Sequence, residues 1–403
     1  MSDLCGVLDA LDEADSNKDE VVLATVVKVE GSAYRRPGAR MVIPRLGHAV
    51  GTVSGGCLER ELVQKAWWLT ASGAPVIRCY STADRDDEED DEEDDDEGAA
   101  LTFGLGCNGT VHVLLERYTP GQPSVLYALL QGVRTSGQSA ALATVLSAGE
   151  LSGLSVGARL GQTAESRLCE GFEGHALRSS VEADLFATLE RKKSSHMTYA
   201  SGPQAVEVLL EYIAPQRRLV IFGAGDDAQP VVRFATELGW EVTVVDGRAH
   251  FARAERFPGA RQVLATSIER PFALHSKIDG AAVVIMTHSY RQDRHWLKQV
   301  LACAPAYVGQ LGPKERTERL LDDIKGAADV ATLRAHVHYP MGLDLGGDTP
   351  QSVALSIVSE ISACLNQRQG GMLRYRTRTI HDATEVRHTA LIEPLADVRR
   401  VGN

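Results

Sequence analysis

Two glycine-rich turns, each with one cysteine, carry the residue types best suited to chemistry. The first is Ser-Gly-Gly-Cys at 54–57, ahead of a helical pattern, and the second surrounds Cys107 ahead of a strand pattern. Consecutive small residues expose backbone amides to an anion, and a helix start stabilises a thiolate. The pattern predicts a reactive or ligand-contacting thiol at Cys57. A small buried cysteine in a tight junction is the open alternative.

An arginine-rich loop precedes the first of these turns. Residues 30–40 read Glu-Gly-Ser-Ala-Tyr-Arg-Arg-Pro-Gly-Ala-Arg, between strand patterns at 21–29 and 41–44. Guanidinium groups bind phosphate and carboxylate oxygens in pairs, so Arg35, Arg36 and Arg40 can hold an anionic ligand. A solvated hairpin connection is the alternative.

A Gly-x-Gly turn organises the second half of the chain. An apolar run at 219–222 enters Gly223-Ala-Gly225, a helical pattern follows, and a second apolar run ends at Asp246. This order predicts a Rossmann β-α-β unit. Gly223 permits the tight turn and Gly225 lets backbone approach a phosphate. Asp246 has about the spacing of a carboxylate that accepts hydrogen bonds from a ribose diol.

Whether this turn holds a dinucleotide stays open at this point. Asp226 and Asp227 place two negative charges where the helix amides would meet a pyrophosphate, and carboxylates compete with a ligand for those amides. A self-capped unit without nucleotide is equally compatible. His288 follows a later strand, at the sheet edge where such folds bind ligands. It can bind a ligand, transfer a proton or cap its own loop.

Composition limits the classes of protein. Of 403 residues, the run from Asp84 to Glu97 contributes thirteen acids and one arginine to the net charge of −12, which leaves 41 acids and 41 bases elsewhere. We expect a solvated, disordered loop over 83–98 and no nucleic-acid binding. Neither a membrane span nor a signal peptide is evident, which predicts a cytoplasmic protein. The seven scattered cysteines form no Cys-x-x-Cys motif, which disfavours disulfides and structural zinc.

The predicted fold class is α/β, with a mixed amino-terminal domain and a carboxyl-terminal Rossmann-like domain with a parallel sheet. The predicted boundaries are 1–118 for the first domain, 119–205 for a β-rich middle section, 206–378 for the Rossmann-like domain and 379–403 for a loose tail. Within the first two parts, Leu-Ala-Thr-Val and Gly-Ala-Arg recur with an offset of 119 residues, at 23–40 and 142–159. They indicate a duplicated strand-loop-strand element or chance similarity. The second copy lacks the arginine pair and the Gly-Gly-Cys sequence.

Seven segments in a fixed order, spread over about 320 residues, together resemble the XdhC/CoxI family. These are accessory proteins of molybdenum hydroxylases such as xanthine dehydrogenase. The resembling sequences are GSAYRRPGARM at 31–41, SGGCLE at 54–59, GLGCNG at 104–109, FGAG at 222–225, MTHSYRQD at 286–293, YVGQLG at 307–312 and PMGLD at 340–344. Asp226 departs from the family, which usually has histidine there, and the acidic run is unusually long.

The resemblance implies a chaperone rather than an enzyme. Such a protein binds molybdenum cofactor, protects it during sulfuration by a cysteine desulfurase and delivers it to a xanthine dehydrogenase-like hydroxylase, and a homodimer is the expected assembly. Cys57 and Cys107 are the implied neighbours of the molybdenum, since soft thiolates suit it. The full set of predicted cofactor-binding residues is Arg35, Arg36, Arg40, Ser54, Gly55, Gly56, Cys57, Glu59, Cys107, Gly223, Gly225, Asp246 and His288. An NAD-dependent oxidoreductase and a non-catalytic maturation scaffold are the alternatives.

Overall fold

The computed structural model describes residues 3–81, 101–102, 109–149, 152–199, 205–269, 275–324, 330–377 and 385–389. The predicted acidic loop, Cys107 with its turn and most of the predicted tail lie outside these ranges. The chain divides into an amino-terminal unit, Asp3–Pro215 with the strand at 385–389, and a carboxyl-terminal unit, Gln216–His381. Among the helices of the described ranges, none combines the length and apolar character that a membrane span requires.

The amino-terminal unit contains two six-stranded sheets, which are built from successive halves of its sequence. The elements of the first half are α1 (Asp3–Asn17), β1 (Val21–Gly31), β2 (Arg40–Pro44), β3 (Val50–Gly51), α2 (Glu59–Leu69), β4 (Val76–Ser81), β5 (Leu101–Thr102) and β6 (Gly109–Tyr118). Those of the second half are α3 (Val125–Ser136), β7 (Ala140–Ala148), β8 (Arg159–Gln162), β9 (Arg167–Glu170), α4 (Arg178–Arg191), β10 (Ser195–Tyr199) and β11 (Val206–Ile213). Later in the chain, β17 (Glu385–Thr389) adds an edge strand to the second sheet.

The two halves are structural repeats. Their sheets have the same order, β3-β2-β1-β6-β4-β5 and β9-β8-β7-β11-β10-β17. The first residues of β1 and β7, of α2 and α4, and of β4 and β10 are each 119 residues apart. The duplication that the sequence indicated for one strand-loop-strand element therefore extends through the whole half. For β6 and β11 the offset is 95 residues: Leu23 pairs with Glu116 in the first repeat, and Leu142 pairs with Glu211 in the second. This offset is smaller because the first repeat has a longer connection between β4 and β6.

The repeats also explain the position of the domain boundary. The sequence placed the start of the Rossmann-like domain at 206, but β11 pairs antiparallel with both β7 and β10. It therefore belongs to the second sheet, and the carboxyl-terminal unit begins at Gln216. The section predicted as a separate β-rich part, 119–205, is the body of the second repeat.

Two buried ion pairs join the repeats reciprocally. Arg40 of the first repeat binds Glu211 of the second through both terminal nitrogens, at 2.9 and 2.5 Å. Arg159 of the second repeat binds Glu116 of the first in the same way, at 2.7 and 2.5 Å. All four side chains are buried, with at most 11% of the side chain exposed. Each repeat therefore supplies the counter-ion that the other requires.

A glycine precedes each of these arginines for a geometric reason. Gly38 has a φ of +94°, and a Cβ there would lie 2.6 Å from Glu211 Oε1. Its amide donates to Val26 O at 2.8 Å, and the corresponding Gly157 amide donates to Val145 O at 2.9 Å. The repeated Gly-Ala-Arg sequence thus encodes one turn that delivers an arginine into the other repeat.

The carboxyl-terminal unit contains a five-stranded sheet in which all neighbours are parallel, in the order β14-β13-β12-β15-β16. Its elements are β12 (Arg218–Phe222), α5 (Ala228–Glu237), β13 (Glu241–Asp246), β14 (Gln262–Ala265), α6 (His275–Ile278), β15 (Ala282–Ile285), α7 (Tyr290–Val300), β16 (Tyr307–Gln310), α8 (Lys314–Asp323), α9 (Val330–His336) and α10 (Pro350–Leu365), with 3-10 turns at Ala254–Arg256 and Leu373–Tyr375. Alternate residues of β12 enter separate apolar cores on the two faces. The order is that of a Rossmann-like fold, which confirms the predicted class.

We predict that Glu116→Gln destabilises the protein by about 3–5 kcal/mol, because it leaves Arg159 buried without a counter-ion. Urea unfolding curves measure the loss. The control is Arg167→Ala, which removes an exposed partner of Glu182 in the same unit and should cost at most about 1 kcal/mol. Equal losses in the two variants would show that the buried pair contributes no more to stability than an exposed ion pair does.

Candidate functional site

The loop between β3 and α2 is held by one carboxylate. Glu59, the first residue of α2, accepts hydrogen bonds from Thr52 Oγ1 at 2.5 Å and from the amides of Ser54 and Val53 at 2.8 and 3.1 Å. The Ser54 hydroxyl donates to its other oxygen. Burial alone would raise the pKa of the Glu59 carboxyl, but the hydrogen bonds from Ser54 and Thr52 lower it below its ordinary value. An ionised Glu59 therefore fixes the loop.

In the segment where the sequence predicts a nest of amides, three backbone amides converge on one side chain. Ser54 Oγ accepts from the amides of Gly56, Cys57 and Leu58 at 3.2, 3.1 and 3.1 Å. These donors belong to the three residues that precede α2, so the Ser54 hydroxyl closes the loop that leads into the helix. An anion that uses these amides has to displace the Ser54 hydroxyl.

Cys57 projects from this capped loop. It is exposed, whereas the next residue, Leu58, is buried in the core of the first repeat. The buried leucine anchors the helix start, and the loop presents the thiol outward. The buried-cysteine alternative is therefore wrong for Cys57.

The arginine-rich loop at 30–40, called the arginine loop, contacts the loop at 52–58 between β3 and α2, called the cysteine loop. Arg35 Nε donates to Thr52 O at 3.2 Å. A Cβ built on Gly55 would lie 3.6 Å from the Tyr34 ring, so the ring lies against that glycine. Burial lowers the pKa of Arg35, and the Glu59 charge partly offsets this effect. The structure thus brings the two segments that the sequence singled out into one place.

The three predicted arginines have different environments. The Arg36 Nε atom is buried and has no hydrogen-bond partner among the described residues. Arg40 departs from the prediction of an anion-binding residue, because its guanidinium is buried against Glu211. Arg35 and Arg36 therefore remain as candidates for an anionic ligand, whereas Arg40 is structural.

The second predicted cysteine, Cys107, lies outside the described residues. Gly109, two residues later in the sequence, begins β6 and pairs with Gly31 at the entrance to the arginine loop. A Cβ at Gly109 would overlap the carbonyl oxygen of Ser32, so only glycine fits there. A shared pocket for Cys57 and Cys107 stays a prediction.

The second repeat has a corresponding turn that lacks the thiol, the carboxylate and the arginine pair. At the offset of 119 residues, Glu-Gly-His-Ala-Leu-Arg at 173–178 replaces Ser-Gly-Gly-Cys-Leu-Glu. Ala176 stands in place of Cys57, Arg178 in place of Glu59, and Leu-Ser at 154–155 in place of the arginine pair. His175 Nε2 bonds to Ser152 O at 2.7 Å and its Nδ1 accepts from the Leu177 amide at 3.1 Å, which fixes the turn by other means. Sequence reasoning missed this counterpart, although extending the 119-residue offset would have found it.

In the carboxyl-terminal unit, Gly223 has the predicted role in a tight turn. Its φ is +122°, and a Cβ there would collide with the Met286 carbonyl.

Asp246 departs from the prediction of a ribose-binding carboxylate. Its carboxylate accepts from the Ala224 amide at 2.7 Å and from Arg248 Nε and Nη2 at 3.0 and 2.8 Å, and its side chain has no exposed surface. Burial would raise the pKa of Asp246, but these hydrogen bonds lower it. The buried carboxylate of Asp246 therefore stabilises the turn through its hydrogen bond to the Ala224 amide.

A second carboxylate lies over the turn itself. A Cβ on Gly225 would overlap Asp227 Oδ1, and Asp227 Oδ2 bonds to His288 Nε2 at 2.7 Å. His288 has a φ of +59°, which is uncommon for a side chain of its size. The position next to Gly225 where a phosphate would bind thus faces a carboxylate, as the acidic pair in the sequence suggested. His288 holds this carboxylate in place.

A buried network that sequence reasoning did not single out ties the carboxyl ends of two strands together. Asp293 accepts from Thr287 Oγ1 at 2.5 Å, from Gln310 Nε2 at 3.1 Å and from Arg316 Nη1 at 2.7 Å. It is 1% exposed. Arg316, in the first turn of α8, is its counter-ion.

Family models match both parts of this architecture. The model of the XdhC and CoxI family matches residues 15–81, and the model of the XdhC Rossmann domain matches residues 219–361. The first match contains both loops with Arg35, Arg36, Cys57 and Glu59, and the two matches together cover just over half of the chain. The chain belongs to the XdhC and CoxI family.

Named relatives agree with this assignment over nearly the whole chain. A protein of Bacillus subtilis (strain 168), named as a probable subunit of xanthine dehydrogenase, is 28% identical over 88% of this chain and 95% of its own. The molybdenum cofactor insertion chaperone PaoD of Escherichia coli (strain K12) is 23% identical over 87% and 86%. A crystal structure from Bacillus halodurans, described as a xanthine dehydrogenase, superimposes with a TM-score of 0.69 at 28% identity, over 93% of this chain and 98% of the other.

We predict that Glu59→Gln destabilises the protein at pH 7 by about 1–3 kcal/mol, because the loop loses a charged acceptor. A carboxyl with a lowered folded pKa contributes stability above its unfolded pKa of about 4.3 and loses it as the pH falls through the folded value. The difference between the wild type and Glu59→Gln should therefore be constant near neutrality and shrink below about pH 4. Thermal unfolding between pH 3 and 7 tests this, with the exposed Glu13→Gln as control; a pH-independent difference would contradict it.

We also predict that Asp227→Ala binds NADH at least tenfold more tightly than the wild type, because it removes the carboxylate beside Gly225 and the first amides of α5. Fluorescence titration measures both constants. Asp226→Ala is the matched control: its carboxylate points to solvent, 87% exposed, and pairs with Arg256, so a smaller gain is expected. Tight binding by the wild type itself would show that Asp227 does not block the turn.

Proposed function

We propose that this protein carries molybdenum cofactor as cargo, protects it during sulfuration and delivers it to a molybdenum hydroxylase of the xanthine dehydrogenase type. Its relatives support an accessory role in this chemistry: one is named a molybdenum cofactor insertion chaperone, and two carry the name of xanthine dehydrogenase. The observation that carries the proposal is the meeting of an exposed thiol and two arginines on one pair of loops.

The cargo has two ends with different chemistry, and the loops offer a partner for each. The phosphate of the pterin is a dianion, and planar guanidinium groups bind such oxygens in pairs. Arg36 has a buried Nε donor with no partner among the described residues, and a phosphate oxygen would satisfy it. Arg35 lies on the same loop and is anchored to Thr52 O through Nε.

The molybdenum end requires a soft ligand that binds the metal reversibly. Thiolate sulfur is such a ligand, and Cys57 is exposed at the end of a loop, where a partner protein can reach it. The amides that Ser54 now caps lie in the same loop and become donors for an oxyanion when the hydroxyl turns away. Cys107 is the proposed second thiol.

The proposed partners follow from this cargo. A cysteine desulfurase supplies the sulfur, and a hydroxylase accepts the finished cofactor. A homodimer is the proposed assembly, which light scattering of the purified protein checks. An NAD-dependent oxidoreductase is the less supported alternative, because a carboxylate lies at the Gly-x-Gly turn. The scaffold alternative assigns no role to the exposed thiol of Cys57.

The test is co-purification from cells that make molybdenum cofactor. We expect bound pterin and molybdenum in the wild type, and at least a tenfold loss of affinity in Cys57→Ser and in Arg36→Ala, about 1.4 kcal/mol each. The matched controls come from the second repeat: Cys169→Ser and Ser155→Ala, the latter at the position that corresponds to Arg36, should keep the full content.

Two results would contradict the proposal. Wild-type protein without pterin, from cells in which the cofactor is demonstrably present, would favour the scaffold or the nucleotide-binding alternative. Unchanged pterin content in both Cys57→Ser and Arg36→Ala would place the cargo elsewhere. In the scaffold alternative, these variants would also leave maturation of the hydroxylase unchanged.

A further inference from the structure

A separate cluster of metal-ligating side chains lies in the carboxyl-terminal unit, at the edge of the sheet where β15 and β16 begin. His275 is the first residue of α6, Asp279 follows its last residue, and Cys303 lies in the connection between α7 and β16. One ligand atom from each of the three side chains lies within 4.8 Å of the other two. None of these residues takes part in the proposed cofactor site or in the Gly-x-Gly turn, which is at the opposite end of the strands.

The backbone brings these residues together through ordinary elements. The Asp279 amide donates to His275 O at 3.0 Å, so the two side chains lie one helical turn apart on the same face. The end of that turn is held by Arg218, whose guanidinium donates to the carbonyls of Ser276 and Asp279. This is the i, i+4 spacing with which helices present two ligands to one metal ion.

The third ligand is fixed against the second. The Gly280 amide donates to Ala304 O at 2.8 Å, which joins the two segments directly. The Ala304 amide donates to Asp279 Oδ1 at 2.9 Å and orients the carboxylate. Its second oxygen, Oδ2, makes no hydrogen bond to a described residue and is free to bind a cation. A ligating carboxylate held by a backbone amide is a common second layer of a metal site.

We propose that His275, Asp279 and Cys303 bind one Zn²⁺ ion. An imidazole nitrogen, a carboxylate oxygen and a thiolate sulfur are the three ligand types that zinc accepts in proteins, whereas Mg²⁺ and Ca²⁺ require oxygen. Three protein ligands leave a fourth tetrahedral position for water. His275 and Asp279 are exposed, so solvent reaches that position.

The proposed ion would link α6 to the segment that starts β16. Without it, α6 is a single turn of four residues, which is too short to be stable through its own hydrogen bonds. Zinc bound only by the folded unit would raise its unfolding temperature as the free zinc concentration rises above the dissociation constant. The proposed zinc site shares no residue with the proposed cofactor loops, so its loss should leave the cofactor content unchanged.

The test is titration of the chelator-treated full-length protein with Co²⁺, a spectroscopic substitute for Zn²⁺ that reports thiolate ligation through a near-ultraviolet charge-transfer band. We expect one equivalent to give this band and Zn²⁺ to abolish it by competition. Cys303→Ser should lose the band, and His275→Ala, which alters an exposed side chain, should bind at least tenfold more weakly. Cys57→Ser is the matched control and should titrate as the wild type does.

The outcomes separate this proposal from the proposed function. Absence of a thiolate–cobalt band in the wild type, or its survival in Cys303→Ser, would overturn the zinc site. Loss of the band in Cys57→Ser with retention in Cys303→Ser would assign the metal to the cysteine loop instead. Pterin content measured on the same variants tests the cofactor proposal independently, since Cys303→Ser should retain it.

Discussion

The reciprocal burial of two arginines is the constraint on which the amino-terminal unit depends. Arg40 and Arg159 are each neutralised by a glutamate from the other repeat, so neither repeat can bury its own arginine alone. The exchange also gives both Gly-Ala-Arg sequences the same structural role. Because Arg40 ends the arginine loop, its ion pair fixes one end of the loop from which Arg35 reaches Thr52 O.

The two repeats share a scaffold, but only the first carries the proposed site residues. The first has the thiol, the arginine pair and the carboxylate that holds the loop, whereas the second has Ala176, Leu154 with Ser155, and Arg178 at the corresponding positions. His175 fixes the turn of the second repeat instead. The second repeat nevertheless cannot be removed, since it supplies Glu211 to Arg40. The loops proposed to hold the cargo therefore depend on the second repeat as well as on the first.

Local sequence patterns predicted the elements well and the partners of charged residues poorly. The Gly-x-Gly turn, its flanking strands and the glycine-rich helix start were evident because short-range sterics determine them. The loop sequence predicts a ligand-binding role for Arg40, because its true partner is 171 positions away and no local pattern marks it. Asp246 had the right spacing for a ribose, but Arg248, two residues later, binds it instead. In both cases a long-range or competing ion pair decided the role of the charge.

The central claim is that the cargo binds to the loops of the first repeat alone. Hydrogen–deuterium exchange on cofactor-loaded and cofactor-free protein compares all candidate positions in one measurement. We expect slower exchange at 31–39 and 52–62 on loading, with no change at the corresponding loops of the second repeat, 152–158 and 171–177, or at the turn 223–228. Protection at 223–228 without protection at 52–62 would contradict this claim and would place the cargo in the carboxyl-terminal unit.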